Sequence, residues 1–108
     1  MHYVFSYGTL KDKFNVPTLQ ATLEANLQMS NYGPYPMLIR ANNPVPQTFD
    51  GYLLQLNDSQ FTETDIYEGY PELYDRKQMN VKAQGQVYKA WVYIQATNKK
   101  QWRILKEY

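Results

Sequence analysis

The chain contains no cysteine. That excludes thiol redox chemistry, a thiol nucleophile and a thiolate zinc site, and it fits a reducing compartment. A single histidine stands at the second position, so no credible Ser-His pair exists and hydrolytic chemistry of that type is disfavoured. An excess of one charge is also missing. Eleven Lys and Arg balance ten Asp and Glu, which removes the bulk attraction a basic protein exerts on nucleic acid or anionic lipid. No segment approaches the roughly 20 apolar residues of a membrane span, and the start lacks a basic stretch followed by an apolar core. The expectation is a cytoplasmic protein with no nucleic-acid and no membrane partner. Internal repeats and low-complexity tracts are absent as well.

What remains is a chain of 108 residues, read as a single domain over residues 1–108 that can hide roughly 65% of its unfolded surface without a covalent staple. Eleven tyrosines make up most of its aromatic content. They suit a small β-rich fold whose large side chains carry one polar tip. They equally suit a tyrosine-lined pocket or stacking platforms for bases.

Near the start, Tyr3-Val4-Phe5 has the β-branched and aromatic character of a strand. It runs into Ser6-Tyr7-Gly8-Thr9-Leu10, where Gly8 allows backbone dihedrals forbidden to other residues and a close approach of ligand to main chain. Amides fanned out at such a turn make a concavity for an anion or oxyanion. Lys11-Asp12-Lys13 follows as a solvated connector. Asn15 as N-cap, Pro17 in the first turn, and Val16, Leu19, Leu23 and Leu27 at three- and four-residue spacing predict an amphipathic helix to about Asn26.

Tyr32-Gly33-Pro34-Tyr35-Pro36 reads as a turn, with the cis or trans state of either proline left open, and Met37-Leu38-Ile39 as a short strand. Ala41 to Gln47 reads as an exposed loop. Phe49, Tyr52, Leu54 and Leu56 define the next strand, and the break in alternation predicts a bulge at Gly51. Asn57-Asp58-Ser59 offers caps for a helix ending at Glu68 and stopped by Gly69.

That helix is a poor amphipath. Phe61, Thr64, Asp65 and Glu68 share one face. If Phe61 packs inward, two carboxylates follow it, the kind of local conflict that marks function. The alternative roll turns Ile66 and Tyr67 inward and both acids to water. Tyr74 to Val81 and Gln86 to Ile94 read as two strands joined at Ala83-Gln84-Gly85. The charged tail from Ala96 offers Trp102, Ile104 and Leu105 as docking points, and its few basic residues read as solvated.

Tyr7-Gly8-Thr9-Leu10, then Gly33-Pro34-Tyr35-Pro36, then Asp65-Ile66-Tyr67-Glu68-Gly69 with Tyr74 and Arg76, in this order and spacing, resemble the γ-glutamylcyclotransferase-like family, including its γ-glutamylamine cyclotransferase and AIG2-like branch. The similarity runs from Val4 to Ile94. It implies an α+β fold, a small mixed β-barrel with a few short helices. It also implies conversion of a γ-glutamyl amide or peptide to 5-oxoproline and a free amine, with Glu68 as catalytic acid/base. Tyr7, Gly8, Thr9 and Leu10 would bind the glutamyl portion, largely through their backbone, with Tyr74 in the wall of the same pocket. The reaction needs neither cofactor nor metal. The partner is then a small-molecule γ-glutamyl substrate, whose amine half the sequence does not identify, and the oligomeric state stays open. Two positions depart from the family pattern: Thr64 stands where a leucine is usual, and Gly51-Tyr52 where a Gly-Glu pair is usual. A non-catalytic member, using the same pocket to bind an amino acid-like ligand as an adaptor, is the alternative.

Overall fold

The computed structural model describes residues 1–7, 9–32, 35–41 and 44–95. Five strands close a barrel: β1 (His2–Ser6), β2 (Thr18–Ala25), β5 (Gln47–Leu56), β6 (Tyr74–Ala83) and β7 (Gln86–Gln95), in the order β1-β5-β2-β6-β7. A parallel contact of Val4 with Trp91 joins β1 to β7; the other pairings are antiparallel. Strands β3 (Leu27–Tyr32) and β4 (Tyr35–Arg40) form a separate two-stranded ribbon. A 3-10 turn, Thr9–Asp12, follows β1, and α1 (Asp58–Glu68) connects β5 to β6. The fold is a mixed α+β barrel.

The helix expected between Asn15 and Asn26 is instead strand β2, continuing into β3. The four apolar positions at helical spacing compete with a second set, Leu19, Ala21, Leu23 and Ala25, which alternates. The alternating set is the one packed on the barrel interior. Eight backbone pairs with β5, from Thr18–Leu54 to Ala25–Gln47, satisfy the strand's polar groups in a way an isolated helix face could not improve on.

No bulge interrupts β5 at Gly51: Ala21 pairs with Gly51 and Ser6 with Tyr52 in unbroken register. The alternation breaks because both faces of β5 are covered. Phe49 and Leu53 face the barrel core with Phe5, Leu23, Val81 and Val92. Leu54 and Leu56 face a second core with Val4, Leu10, Phe61 and Tyr93, roofed by α1 and the 3-10 turn. Gly51 itself is a close-approach position. A Cβ there would lie 2.4 Å from the Ser6 carbonyl oxygen and 2.7 Å from the Phe5 ring.

The β6–β7 hairpin turns on two residues, Gln84 and Gly85, at φ 50° and 75°, the positive-φ pair that matches strand twist. Strand β6 therefore reaches Ala83, two residues beyond its expected end. Of the turn expected over Tyr32-Gly33-Pro34-Tyr35-Pro36, Tyr32 ends β3 and Tyr35 and Pro36 open β4, while residues 33–34, part of the loop at 42–43 and the tail from Ala96 lie outside the described residues. Pro44, Val45 and Pro46 are exposed, as expected of a loop. Among the described residues Tyr70–Pro71 is a cis peptide bond.

Helix α1 carries the caps its sequence promised. Asn57 accepts from the Gln60 N–H while the Gln60 side chain accepts from the Asn57 N–H, a reciprocal capping box. At the other end Gly69 is left-handed, and the N–H groups of Gly69 and Tyr70 donate to the carbonyls of Ile66 and Asp65, a Schellman closure. His2 on β1 hydrogen-bonds Asp58 at 2.6 Å and stacks on Phe61, tying the first turn to the barrel.

The helix's roll resolves in favour of the acids. Phe61 and Thr64 are buried, whereas Ile66 is 75% and Tyr67 51% exposed. Leaving an isoleucine outside forfeits on the order of 1.5–3 kcal/mol of burial. Polar contacts offset this loss: Asp65 Oδ1 accepts from Arg76 Nε at 2.9 Å and from the Tyr93 hydroxyl at 2.6 Å, and charge-assisted bonds of this kind contribute about 1.5–3 kcal/mol each.

Candidate functional site

The inward roll of α1 leaves Glu68, the last residue of the helix, half-buried. Burial pushes its carboxyl up to about 7, because desolvation disfavours the charged form. Three tyrosines lie close enough to feel its charge, Tyr7 just after β1, Tyr74 on β6 and Tyr93 on β7. Burial raises the hydroxyls of Tyr7, Tyr74 and Tyr93 well above the ordinary tyrosine value, and the charge of Glu68 adds to the rise in each. All three therefore stay protonated at any pH at which the protein works. Tyr74 opens β6 just after the Gly69–Leu73 turn, and Tyr7 follows directly on β1, so chain ends that meet at one rim of the barrel supply the group.

The Tyr7 hydroxyl already has partners. It donates to the Tyr93 carbonyl at 2.8 Å and accepts from the Leu38 N–H at 3.3 Å. Its one proton is thereby used, leaving at most a lone pair toward a ligand. Tyr7 joins β1, β7 and the β3–β4 ribbon. A second clasp lies close by on the ribbon: Arg40 reaches the Asp75 carboxylate at 3.0 Å and the Gln95 carbonyl at 3.3 Å.

Of the six residues predicted from the sequence, Glu68, Tyr7 and Tyr74 are brought together. Thr9 opens the 3-10 turn that follows. Leu10 is buried in the second core and its carbonyl accepts from the Lys13 N–H, so its side chain packs. Gly8 lies outside the described residues. A cavity of about 690 Å³ opens elsewhere, lined by Ala21, Gly51, Tyr52 and Lys82 among others, and contains none of the six.

Sequence reasoning passed over Tyr93, which lies within the strand read from Gln86 to Ile94. It stands directly opposite Arg76 in the β6–β7 register, and the two meet at Asp65. The Arg76 guanidinium lies 4.4 Å from the Tyr70 and Trp91 ring centres and 4.6 Å from that of Phe61, within cation–π range of all three. The two-residue hairpin turn was the signal available, since counting outward from Gln84-Gly85 pairs Arg76 with Tyr93. Among the described residues, no group of three or more His, Asp or Glu could hold a metal ion, and no helix is long and apolar enough to cross a membrane.

Chemically, this is a half-buried carboxyl able to exchange a proton near neutrality, with protonated phenols nearby. Solved structures share the architecture. A protein of Arabidopsis thaliana matches with a TM-score of 0.68 at 18% identity over 98% of this chain and 74% of its own. A mouse AIG2-like protein matches with 0.63 at 21% over 95% and 82%. A gamma-glutamyl cyclotransferase matches with 0.58 at 17% over 88% and 66%. No curated protein matches. The model of one family, described as gamma-glutamyl cyclotransferase, AIG2-like, matches residues 4–108. With that match spanning nearly the whole sequence, and a barrel shared with structures of the same kind, the chain belongs to the gamma-glutamyl cyclotransferase, AIG2-like family.

Proposed function

We propose that this protein is a γ-glutamyl cyclotransferase that converts a γ-glutamyl amide or peptide to 5-oxoproline and a free amine, with Glu68 as its acid/base. The observation that carries the reading is the inward-facing Glu68, held near neutrality by burial beside Tyr7 and Tyr74. A base with a pKa near the working pH combines availability with driving force.

The steps balance without an external reactant. The substrate's α-ammonium loses a proton to Glu68, and the freed amine attacks its own γ-carbonyl. A C–N bond to the ring nitrogen forms, the C–N bond to the departing amine breaks, and the ring nitrogen sheds a second proton on becoming the lactam. The leaving nitrogen takes up both protons and departs as an ammonium, Glu68 returning the one it accepted. On this reading main-chain amides of the Tyr7-Gly8-Thr9-Leu10 segment receive the glutamyl part and the developing oxyanion, and the tyrosine hydroxyls, neutral throughout, wall the pocket.

The test is release of 5-oxoproline and of free amine from a panel of γ-glutamyl amides and peptides. Turnover of at least one member is expected, rising with pH through an apparent pKa near 7 as Glu68 ionises. Binding of glutamyl compounds with no cyclisation across a wide panel would favour the adaptor reading instead.

A further inference from the structure

The roll of α1 that turns Glu68 inward is not the one its apolar residues select, since Ile66 and Tyr67 stay outside. Its cause lies one turn earlier. Asp65 Oδ1 receives Arg76 Nε from β6 and the Tyr93 hydroxyl from β7. Both ion-pair partners are mostly shielded, with side chains 18% and 21% exposed. The arginine is itself immobilised between the Phe61, Tyr70 and Trp91 rings. The Asp65 carbonyl meanwhile accepts from the Tyr70 N–H in the closure of the helix. One residue thus fixes the helix end to both strands of the β6–β7 hairpin and to the turn that follows, three positions before Glu68.

We propose that Asp65, through Arg76 and Tyr93, is the positioning residue of the site: it holds the last turn of α1 in the orientation that buries Glu68. The function assigned to Glu68 above is what makes that orientation matter, but the proposal concerns the carboxyl's placement and can be read without turnover. Among the described residues, the titratable groups that feel the Glu68 charge are Tyr7 just after β1, Tyr74 on β6 and Tyr93 on β7.

The experiment follows the Glu68 side-chain carboxyl by carbon-13 NMR titration in the full chain, for wild type, Asp65→Asn, Tyr93→Phe and, as a comparably destabilised control, Val81→Ala in the barrel core. Wild type should titrate near 7. Asp65→Asn and Tyr93→Phe should both shift the midpoint to a proton concentration at least about tenfold higher, that is, toward the ordinary carboxylate range, as the helix end turns outward and Glu68 hydrates. Tyr93→Phe is the decisive variant. It changes no charge, and by local polarity alone it would raise the Glu68 value by removing a hydroxyl; positioning requires it to fall. Val81→Ala should lower the melting temperature and leave the Glu68 midpoint in place. Where a substrate turns over, both site variants should lose about 10- to 100-fold in kcat with KM little changed. A Glu68 midpoint near 7 in both Asp65→Asn and Tyr93→Phe, or one displaced equally in Val81→Ala, overturns the proposal. A displaced midpoint in a protein that cyclises nothing would uphold it while refuting the cyclotransferase reading.

Discussion

Glu68 carries a stability cost at neutral pH. Its folded-state pKa of about 7 lies above the value of roughly 4.3 for an unperturbed glutamate, so the folded chain binds the proton more tightly than the unfolded one. The sign follows by linkage: this stabilising contribution is complete below the unfolded value and is lost as pH rises through 7. Glu68→Gln removes the dependence. Urea melts of the two proteins should agree near pH 4 and diverge with pH, the glutamine variant gaining roughly 1–3 kcal/mol by pH 8, an amount reduced by the partial solvation of the group. Turnover should move the other way, falling at least about 100-fold, because glutamine cannot exchange a proton near neutrality. Wild-type turnover in Glu68→Gln would reduce the residue to a helix end.

Strand β5 is the element on which both cores depend, one on each face. It tolerates this because Gly51 lets β1 cross closely, with the Phe5 ring lying over the missing side chain. Gly51→Ala places a methyl against backbone as well as ring, and the backbone oxygen cannot swing aside as a side chain does. The expected cost is about 1–3 kcal/mol, with a drop in melting temperature and no change in the Glu68 titration. Helix α1 makes a milder case. Asn57→Ala loses the side-chain acceptor of the Gln60 N–H and keeps the bond from the residue-57 N–H to Gln60 Oε1, and thermal melts should show a loss of about 0.5–2 kcal/mol.

At the scale of the molecule, three described contacts tie the β3–β4 ribbon to the barrel. Leu27 and Leu38 bury their side chains in the barrel's core cluster, Tyr7 bridges by its hydroxyl, and Arg40 clasps Asp75 at the surface. The surface clasp is screened and worth about 1 kcal/mol or less. The Tyr7 bridge is sheltered, and breaking it leaves the Leu38 N–H without its acceptor, a cost of about 1–3 kcal/mol. Hydrogen exchange on Tyr7→Phe should therefore quicken at Leu38 and its neighbours in β4 well before the amides of β5 and β7. Arg40→Ala should barely alter the pattern. Uniform acceleration across ribbon and barrel would mean that the two sheets open as one unit.

Several features were local enough for the sequence to determine alone. The caps of α1, the strand character around Phe5, Leu54 and Val92, and the family motifs rest on residues adjacent in the chain, and the α+β barrel was legible through those motifs. Period was not decisive between Asn15 and Asn26, where Leu19 and Leu23 satisfy both a helix and a strand; only the neighbouring backbone of β5 could choose, by offering a ladder of hydrogen bonds. Nor could spacing settle the roll of α1, because Asp65 and Ile66 compete for the interior and the winner depends on Arg76 and Tyr93, eleven and twenty-eight residues away. The chain itself thus specified which groups could do chemistry. Tertiary structure decided which of them left water, since desolvation and ion pairing depend on what lies across the fold rather than along the chain.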